Sequence, residues 1–170
     1  MAAVRRITRL GMFAVAATIA LWSSHCKARP AARTSPIYGV SVPEGYRKWE
    51  LIAPARESAP LNELRTVLGN AKAIDAYTRG TLPFPNGTIL VKLAWKETPS
   101  PEFNPASIPG PATTIQVMVK DSKLYAATGG WGFGRFINGE PADQAQHKTC
   151  FACHEAHVKE RDFIFTRFAQ

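Results

Sequence analysis

The sequence predicts an α+β domain that is mainly β, built from a small antiparallel sheet and a few short helices. Several short segments alternate apolar and polar residues, as half-buried strands do. Glycine, proline and Asn-Gly turns separate these segments, so consecutive strands can pair with each other. Near the C-terminus, Cys150-Phe151-Ala152-Cys153-His154 has the spacing C-x-x-C-H, which is typical of c-type haem attachment. We therefore expect a C-terminal helix that carries a haem.

The first half of the domain contains two predicted strands and one predicted helix. Residues 46–52 and 64–68 are the extended segments. Asn70 has the side chain of an N-cap, and Gly80 is placed to end a helix in the left-handed conformation. A short helix over residues 71–78 is therefore predicted.

The second half is predicted to complete the sheet. Residues 88–95 form the most apolar strand, and residues 113–120 alternate as a strand, with Ile115, Val117 and Val119 on one face. In residues 129–136 small residues alternate with bulky ones, which suits a strand against which something flat packs closely. Residues 97–111 hold five prolines and are expected to be a loop. Residues 163–167 are expected to be a last short strand.

The N-terminal residues have the pattern of a secretory signal peptide. Arginines at positions 5, 6 and 9 precede an uncharged apolar run of thirteen residues at 10–22. That run is shorter than the roughly 20 residues that a transmembrane helix needs. We expect residues 1–28 to be removed after export. The expected location is therefore the periplasm, with no stable membrane insertion after cleavage.

Cleavage after Ala28 would also remove the third cysteine, Cys26. The alternative is a lipoprotein signal, in which Cys26 would be acylated. Residues 29–45 are expected to be a poorly ordered leader, and residues 46–170 the haem domain. The formal net charge of +8 falls when the signal leaves, and no basic run is interleaved with aromatic residues. Nucleic acid is therefore not an expected partner.

The chemistry of the C-x-x-C-H motif favours one covalent haem c. Two intervening residues let both thiols reach one edge of a porphyrin, and the adjacent imidazole can bind the iron. A zinc site would need two more Cys or His ligands at a similar spacing, and a redox motif would need a βαβ context. The sequence has neither. The predicted haem ligands are thus Cys150 and Cys153 through thioethers, with His154 on the iron.

Six segments run in order along most of the chain: Asn-Glu-Leu-Arg-Thr-Val at 62–67, Phe-Pro-Asn-Gly-Thr-Ile-Leu-Val-Lys at 84–92, Lys-Asp-Ser-Lys at 120–123, Gly-Gly-Trp-Gly-Phe at 129–133, the C-x-x-C-H motif, and Phe-Ile-Phe-Thr-Arg-Phe at 163–168. In this combination the chain resembles the cytochrome P-460 family and its relative cytochrome c′-beta. The resemblance implies a β-rich, usually dimeric periplasmic haem protein. P-460 members bond a lysine to a haem meso carbon and oxidise hydroxylamine, whereas c′-beta members bind nitric oxide at a five-coordinate iron.

Lys92 stands where the resemblance places the cross-linking lysine. Its segment, residues 89–95, is apolar on both faces, and burying an ordinary ammonium there would cost several kcal/mol. A buried lysine with a lowered pKa can act as a nucleophile. In the alternative interpretation, the stem lies along the sheet and the ammonium reaches water or a propionate. Leu93 departs from the acidic residue that follows this lysine in some members.

Two further features of the site are implied by the resemblance. Arg65 matches an arginine of the distal pocket, where it would stabilise a polar ligand; the alternative is a salt bridge with Glu63 or a propionate. A residue of the loop 140–146 is expected over the iron, where a carboxylate could accept protons from hydroxylamine and a glutamine could not. The candidates in that loop are Glu140, Asp143 and Gln144.

We expect the sixth coordination site of the iron to be open, because no remaining histidine or methionine of the mature chain is well placed to bind there. His147 and His157 lie too close to the motif to reach the far side of the ring, so we expect them at the surface or beside a propionate. Met118 is expected to pack in the core rather than to bind iron. An open site suits small-ligand chemistry.

The leading hypothesis is an enzyme that oxidises hydroxylamine, possessing one haem c and passing electrons to a soluble redox carrier. A second hypothesis is a non-enzymatic protein that binds nitric oxide, and a third is an electron-transfer cytochrome with Met118 as sixth ligand. A carboxylate over the iron favours the enzyme, and a wall of phenylalanines favours the gas binder. The resemblance also implies a homodimer.

Overall fold

The structure is a computed structural model that describes residues 33–169. In this part of the chain, six strands form one antiparallel sheet in chain order. The strands are β1 (Glu50–Glu57), β2 (Glu63–Gly69), β3 (Ile89–Pro99), β4 (Ser107–Lys120), β5 (Trp131–Ile137) and β6 (Glu140–Pro141). Helix α1 (Ala71–Arg79) joins β2 to β3, and helix α2 (Gln144–Val158) follows β6. The predicted α+β, mainly β fold is confirmed.

The predicted signal peptide, residues 1–28, lies outside the described residues. Within the described range, no helix is long and apolar enough to cross a membrane. Residues 33–45, expected to be poorly ordered, pack against the sheet instead. The Ser35 hydroxyl donates to the Phe133 carbonyl at 2.8 Å, and Val40 is buried. An apolar side chain and a buried hydrogen bond thus fix this segment.

Helix α1 forms where its caps predicted it. The Asn70 side chain accepts a hydrogen bond from the Ala73 amide at 3.0 Å, and Gly80 has a φ of 64°. Ala73 and Ala76 form the buried side of the helix. These side chains are small enough for the helix to lie close against the end of β2, where a Cβ on Gly69 would lie 2.8 Å from the Cβ of Ala73.

The proline-rich stretch 97–111 is not one loop, so that prediction is wrong. Strands β3 and β4 extend into it and pair as a hairpin, with the turn at 100–106. Pro109, for example, pairs with Glu97. Strand β5 pairs only with residues 115–120 of β4. Residues 107–114 of β4 therefore lie at an edge of the sheet, where a proline N–H is not needed for pairing with a second neighbouring strand.

Two other predicted strands differ from the structure. In residues 46–52 the strand begins only at Glu50, because Tyr46–Lys48 form a 3-10 turn. Residues 163–167 are irregular rather than extended in a sheet. Here the Arg161 guanidinium donates hydrogen bonds to the consecutive carbonyls of Ile164, Phe165 and Thr166. A side chain, instead of a neighbouring strand, therefore satisfies these carbonyls.

Each face of the sheet carries its own apolar cluster. On the closed face, Val40 packs with buried residues of the central strands, namely Leu68, Val91, Leu93, Val117 and Phe136. On the opposite face, which we call the cavity face, the cluster includes Ile52, Val67, Leu90, Phe133 and Ile164. Because alternate residues of a strand point to opposite faces, Lys92 lies on the cavity face.

Candidate haem site

A cavity of about 650 Å³ lies between the cavity face, α2 and the C-terminal residues. Its apolar wall is formed by Val67, Leu90, Met118, Phe133 and Ile164. The volume lies within the range of roughly 300–1,000 Å³ that is typical of ligand and cofactor sites. The cavity is therefore large enough to be the main binding site of the domain.

One cross-strand row on the cavity face begins with a valine and continues with three polar residues. Val67, Lys92, Gln116 and Arg135 lie opposite one another on four adjacent strands. Directly opposed residues of antiparallel strands share a face, and all four line the cavity. The next row on this face is apolar, with Leu90, Met118 and Phe133 in register. The sheet thus offers a flat apolar surface beside a row that contains two cations, Lys92 and Arg135.

The C-x-x-C-H residues lie on α2 and face the cavity. Cys150, Cys153 and His154 all line it, and both cysteines are free thiols. The His154 Nδ1 atom lies 2.7 Å from the Phe163 carbonyl, so Nδ1 carries the proton and donates it. Burial lowers the pKa of His154, although this hydrogen bond opposes the shift. The imidazole is therefore neutral at pH 7 and its Nε2 is available, as in metal-binding histidines.

A buried ion pair holds the carbonyl that orients His154. Asp162 and Phe163 both have a left-handed backbone, with φ values of 50° and 65°. Asp162 Oδ1 lies 2.6 Å from the Lys120 Nζ, and Oδ2 accepts a hydrogen bond from the Phe84 amide at 2.8 Å. Both charged side chains are buried. They fix the turn that directs the Phe163 carbonyl at the imidazole.

His147 fastens α2 to the sheet and is completely buried. Its Nδ1 lies 2.8 Å from the Asp143 carbonyl and donates to it, and its Nε2 accepts a hydrogen bond from the Arg135 amide at 3.0 Å. The prediction of a surface or propionate position for His147 is therefore wrong. His157 is exposed, and its Nδ1 lies 3.1 Å from the Cys153 carbonyl.

Lys92 enters the cavity without a carboxylate partner. Burial, together with the nearby cations Arg65 and Arg135, lowers its pKa to about 8 against the weaker opposing effect of Glu63. Within the described residues its amine makes no ion pair and no side-chain hydrogen bond. At pH 7 about a tenth of such amines are neutral, compared with about one in three thousand for an unperturbed lysine.

Arg65 is held by carboxylates at the cavity wall. It pairs with Glu63 at 2.7 Å and with Glu57, and Glu63 also accepts a hydrogen bond from the Thr113 hydroxyl at 2.7 Å. Burial lowers the pKa of Arg65, and Arg135 lowers it further. The salt bridge that the sequence offered as an alternative for Arg65 is thus present. Among the described residues that line the cavity, Glu57 has the one carboxylate.

None of the three candidates for the residue over the iron lines the cavity. Glu140 is exposed and pairs with Arg33, Asp143 caps α2 by accepting a hydrogen bond from the Gln146 amide at 2.7 Å, and Gln144 is exposed. Gln146 and Thr149 line the cavity instead. Gln146 lies four residues before Cys150, and this helical spacing is the signal that would have identified it.

The residues that surround the cavity fit a haem. The apolar row matches a flat macrocycle, the cations match its carboxylates, and the thiols and a neutral imidazole stand together on one helix. Fold and site thus define a cytochrome-like haem protein built on an antiparallel sheet.

The family model for cytochrome P460 matches residues 43–166. The chain therefore belongs to the cytochrome P460 family, which confirms the predicted resemblance and indicates a c-type haem protein. No curated protein matches the chain.

Proposed function

We propose that this protein is a periplasmic haem enzyme that oxidises hydroxylamine and passes the electrons to a soluble redox carrier. One haem c would be joined to Cys150 and Cys153 by thioethers and bound at the iron by His154. When bound, the haem would supply the redox chemistry and an iron that takes a small nitrogen ligand. The homodimer and the carrier are part of this proposal. Sedimentation of the purified holoprotein tests the dimer.

The observation that carries the proposal is the unpaired amine of Lys92 in the cavity. A charged ammonium there has two cations nearby and no acceptor, whereas a bond from the nitrogen to a haem meso carbon would remove the need for a counter-ion. That bond replaces one N–H and one C–H, so its formation transfers two electrons to an oxidant of the peroxide class. The neutral fraction of the amine supports Lys92 as the nucleophile.

The other polar residues of the cavity have separate tasks. The Phe163 carbonyl orients His154 through Nδ1. Arg65, held by Glu57 and Glu63, presents a fixed positive charge to a polar ligand. Because the Gln146 amide has no basic atom, Glu57, although paired with Arg65, is the one carboxylate of the described lining that could accept a proton.

Peptide mapping of the holoprotein tests the proposal. Trypsin should release haem joined to two peptides, one with Cys150 and Cys153 and one with Lys92. Lys92→Leu should fold, show an ordinary c-type spectrum and lose hydroxylamine oxidation. Lys96→Leu is the matched control, because Lys96 lies on the same strand but is exposed. Haem on the cysteine peptide alone in the wild type would contradict the enzyme proposal.

A gas-binding protein is the second candidate function, and the position of Gln146 favours it. With Gln146 on the cavity wall and Glu57 engaged by Arg65, no unpaired carboxylate of the described residues lines the cavity. Nitric oxide binding without turnover of hydroxylamine would support this function. Met118 lines the cavity as well, so a low-spin ferrous spectrum that Met118→Ala converts to high-spin would favour electron transfer.

A further inference from the structure

Arg135 is a half-buried residue whose guanidinium group the described residues leave partly unsatisfied. Its side chain lines the cavity, and its Nε is buried with no hydrogen-bond partner. Within the described residues, its guanidinium makes no ion pair. Arg65, on the same face of the sheet, differs because Glu57 and Glu63 both bind it. A buried donor without an acceptor costs about 1–3 kcal/mol, and more when it is charged.

The surroundings of Arg135 supply further positive charge rather than an anion. Its charge lowers the pKa of both Lys92 and Arg65, which shows that the three cations share one electrostatic environment. Gln116 stands between Lys92 and Arg135 in the cross-strand row, and its amide is neutral. A carboxylate that enters the cavity with the ligand would complete this site.

The backbone of Arg135 is fixed from the side of α2. Its amide N–H donates to the Nε2 of His147, which is fully buried and held in turn by the Asp143 carbonyl. The strand residues on either side, Gly134 and Phe136, are also buried. The guanidinium therefore starts from a rigid position, and binding an anion costs it little conformational entropy.

We propose that Arg135 binds a propionate carboxylate of the haem through Nε and one terminal nitrogen. This inference rests on the proposed haem function and adds the residue that recognises the acidic edge of the cofactor. A planar guanidinium matches a carboxylate with two parallel hydrogen bonds, which a lysine cannot form. The contact also supplies the acceptor that the buried Nε lacks.

The test uses the haem-loaded protein and its Arg135→Gln and Arg135→Lys variants. Every variant keeps the backbone hydrogen bond to His147, so folding is not at risk from that contact. The propionate bending band in the resonance Raman spectrum should shift in both variants. The midpoint potential should fall in Arg135→Gln, because a cation that favours the ferrous state is removed, and should fall less in Arg135→Lys, which keeps the charge.

Arg56→Gln is the matched control, since it removes an arginine of the sheet that has its own partner, Glu97, at 2.8 Å. It should leave the propionate band and the potential unchanged. Haem that remains covalently attached while Arg135→Gln changes neither quantity would overturn the inference alone. Failure of the wild type to bind haem covalently would overturn the proposed function. A wild-type propionate band that shifts on addition of phosphate would assign Arg135 to a free anion instead.

Discussion

Breaking the ion pair between Lys120 and Asp162 should cost a large share of the free energy of unfolding. The two side chains are 6% and 8% exposed, and Nζ also donates to the Gly129 carbonyl at 3.0 Å. Removing one partner of a buried pair costs about 3–5 kcal/mol, because the other charge is left uncompensated. Domains are typically stable by about 5–15 kcal/mol. The Lys120→Met substitution should therefore remove roughly a fifth or more of the stability.

Urea denaturation of the holoprotein measures this loss in Lys120→Met, Asp162→Asn and the double variant. Asparagine tolerates the φ of 50° at position 162 and keeps an oxygen for the Phe84 amide. Each single variant should lose about 3–5 kcal/mol. The double variant should lose less than the sum of the two, since it buries no charge.

The exposed pair of Asp75 and Arg79 provides the control for this experiment. These side chains are 61% and 72% exposed, and Asp75→Asn should cost no more than about 0.5 kcal/mol. A loss below about 1 kcal/mol in Lys120→Met would refute the reasoning, because it would equal the value of a solvent-exposed pair. Strictly additive losses in the double variant would refute it as well.

Three further predictions concern the helix, the turn and the cavity. His147→Leu leaves the Arg135 amide without its acceptor and should cost about 1–3 kcal/mol in denaturant titration, whereas exposed His157→Leu should cost under about 0.5 kcal/mol. Gly129→Ala should lower the free energy of unfolding more than Gly45→Ala in the same titration. Both glycines have φ above 60°, but the new Cβ at position 129 would also collide with the ring of Phe163, whereas the one at position 45 would meet nothing. The rate at which Lys92 bonds to the haem, measured by the change in the optical spectrum, should increase as the pH rises through about 8, because the fraction of neutral, nucleophilic amine increases. A rate independent of pH would contradict this.

The elements with local signals could be predicted from the sequence. Helix α1 has its N-cap at Asn70 and its left-handed end at Gly80, and both signals lie within one turn of the helix that they bound. The hairpin of β3 and β4 could not be predicted in the same way. Whether proline is tolerated at position 109 depends on whether β4 has a second neighbour there, and that is a property of the assembled sheet.

The site shows the same division between local and distant information. The position of His154 follows from a five-residue motif, and the burial of Lys92 follows from its apolar neighbours. Arg135 was missed because it reaches the row of Lys92 only through two strand pairings, which no local pattern encodes. His147 was missed because α2 has no clear apolar stripe, so periodicity gave no sign of which side is buried.

The two clusters of the sheet have a consequence for how this scaffold can diversify. Val91 and Leu93 stabilise the closed face, whereas Lys92 between them meets the cavity. Substitutions at alternate positions of one strand therefore affect different properties, folding in one case and ligand chemistry in the other. Such a sheet can exchange its reactive residues while its second core maintains the architecture. Reactivity in this fold is thus open to redesign by changing side chains of a single face.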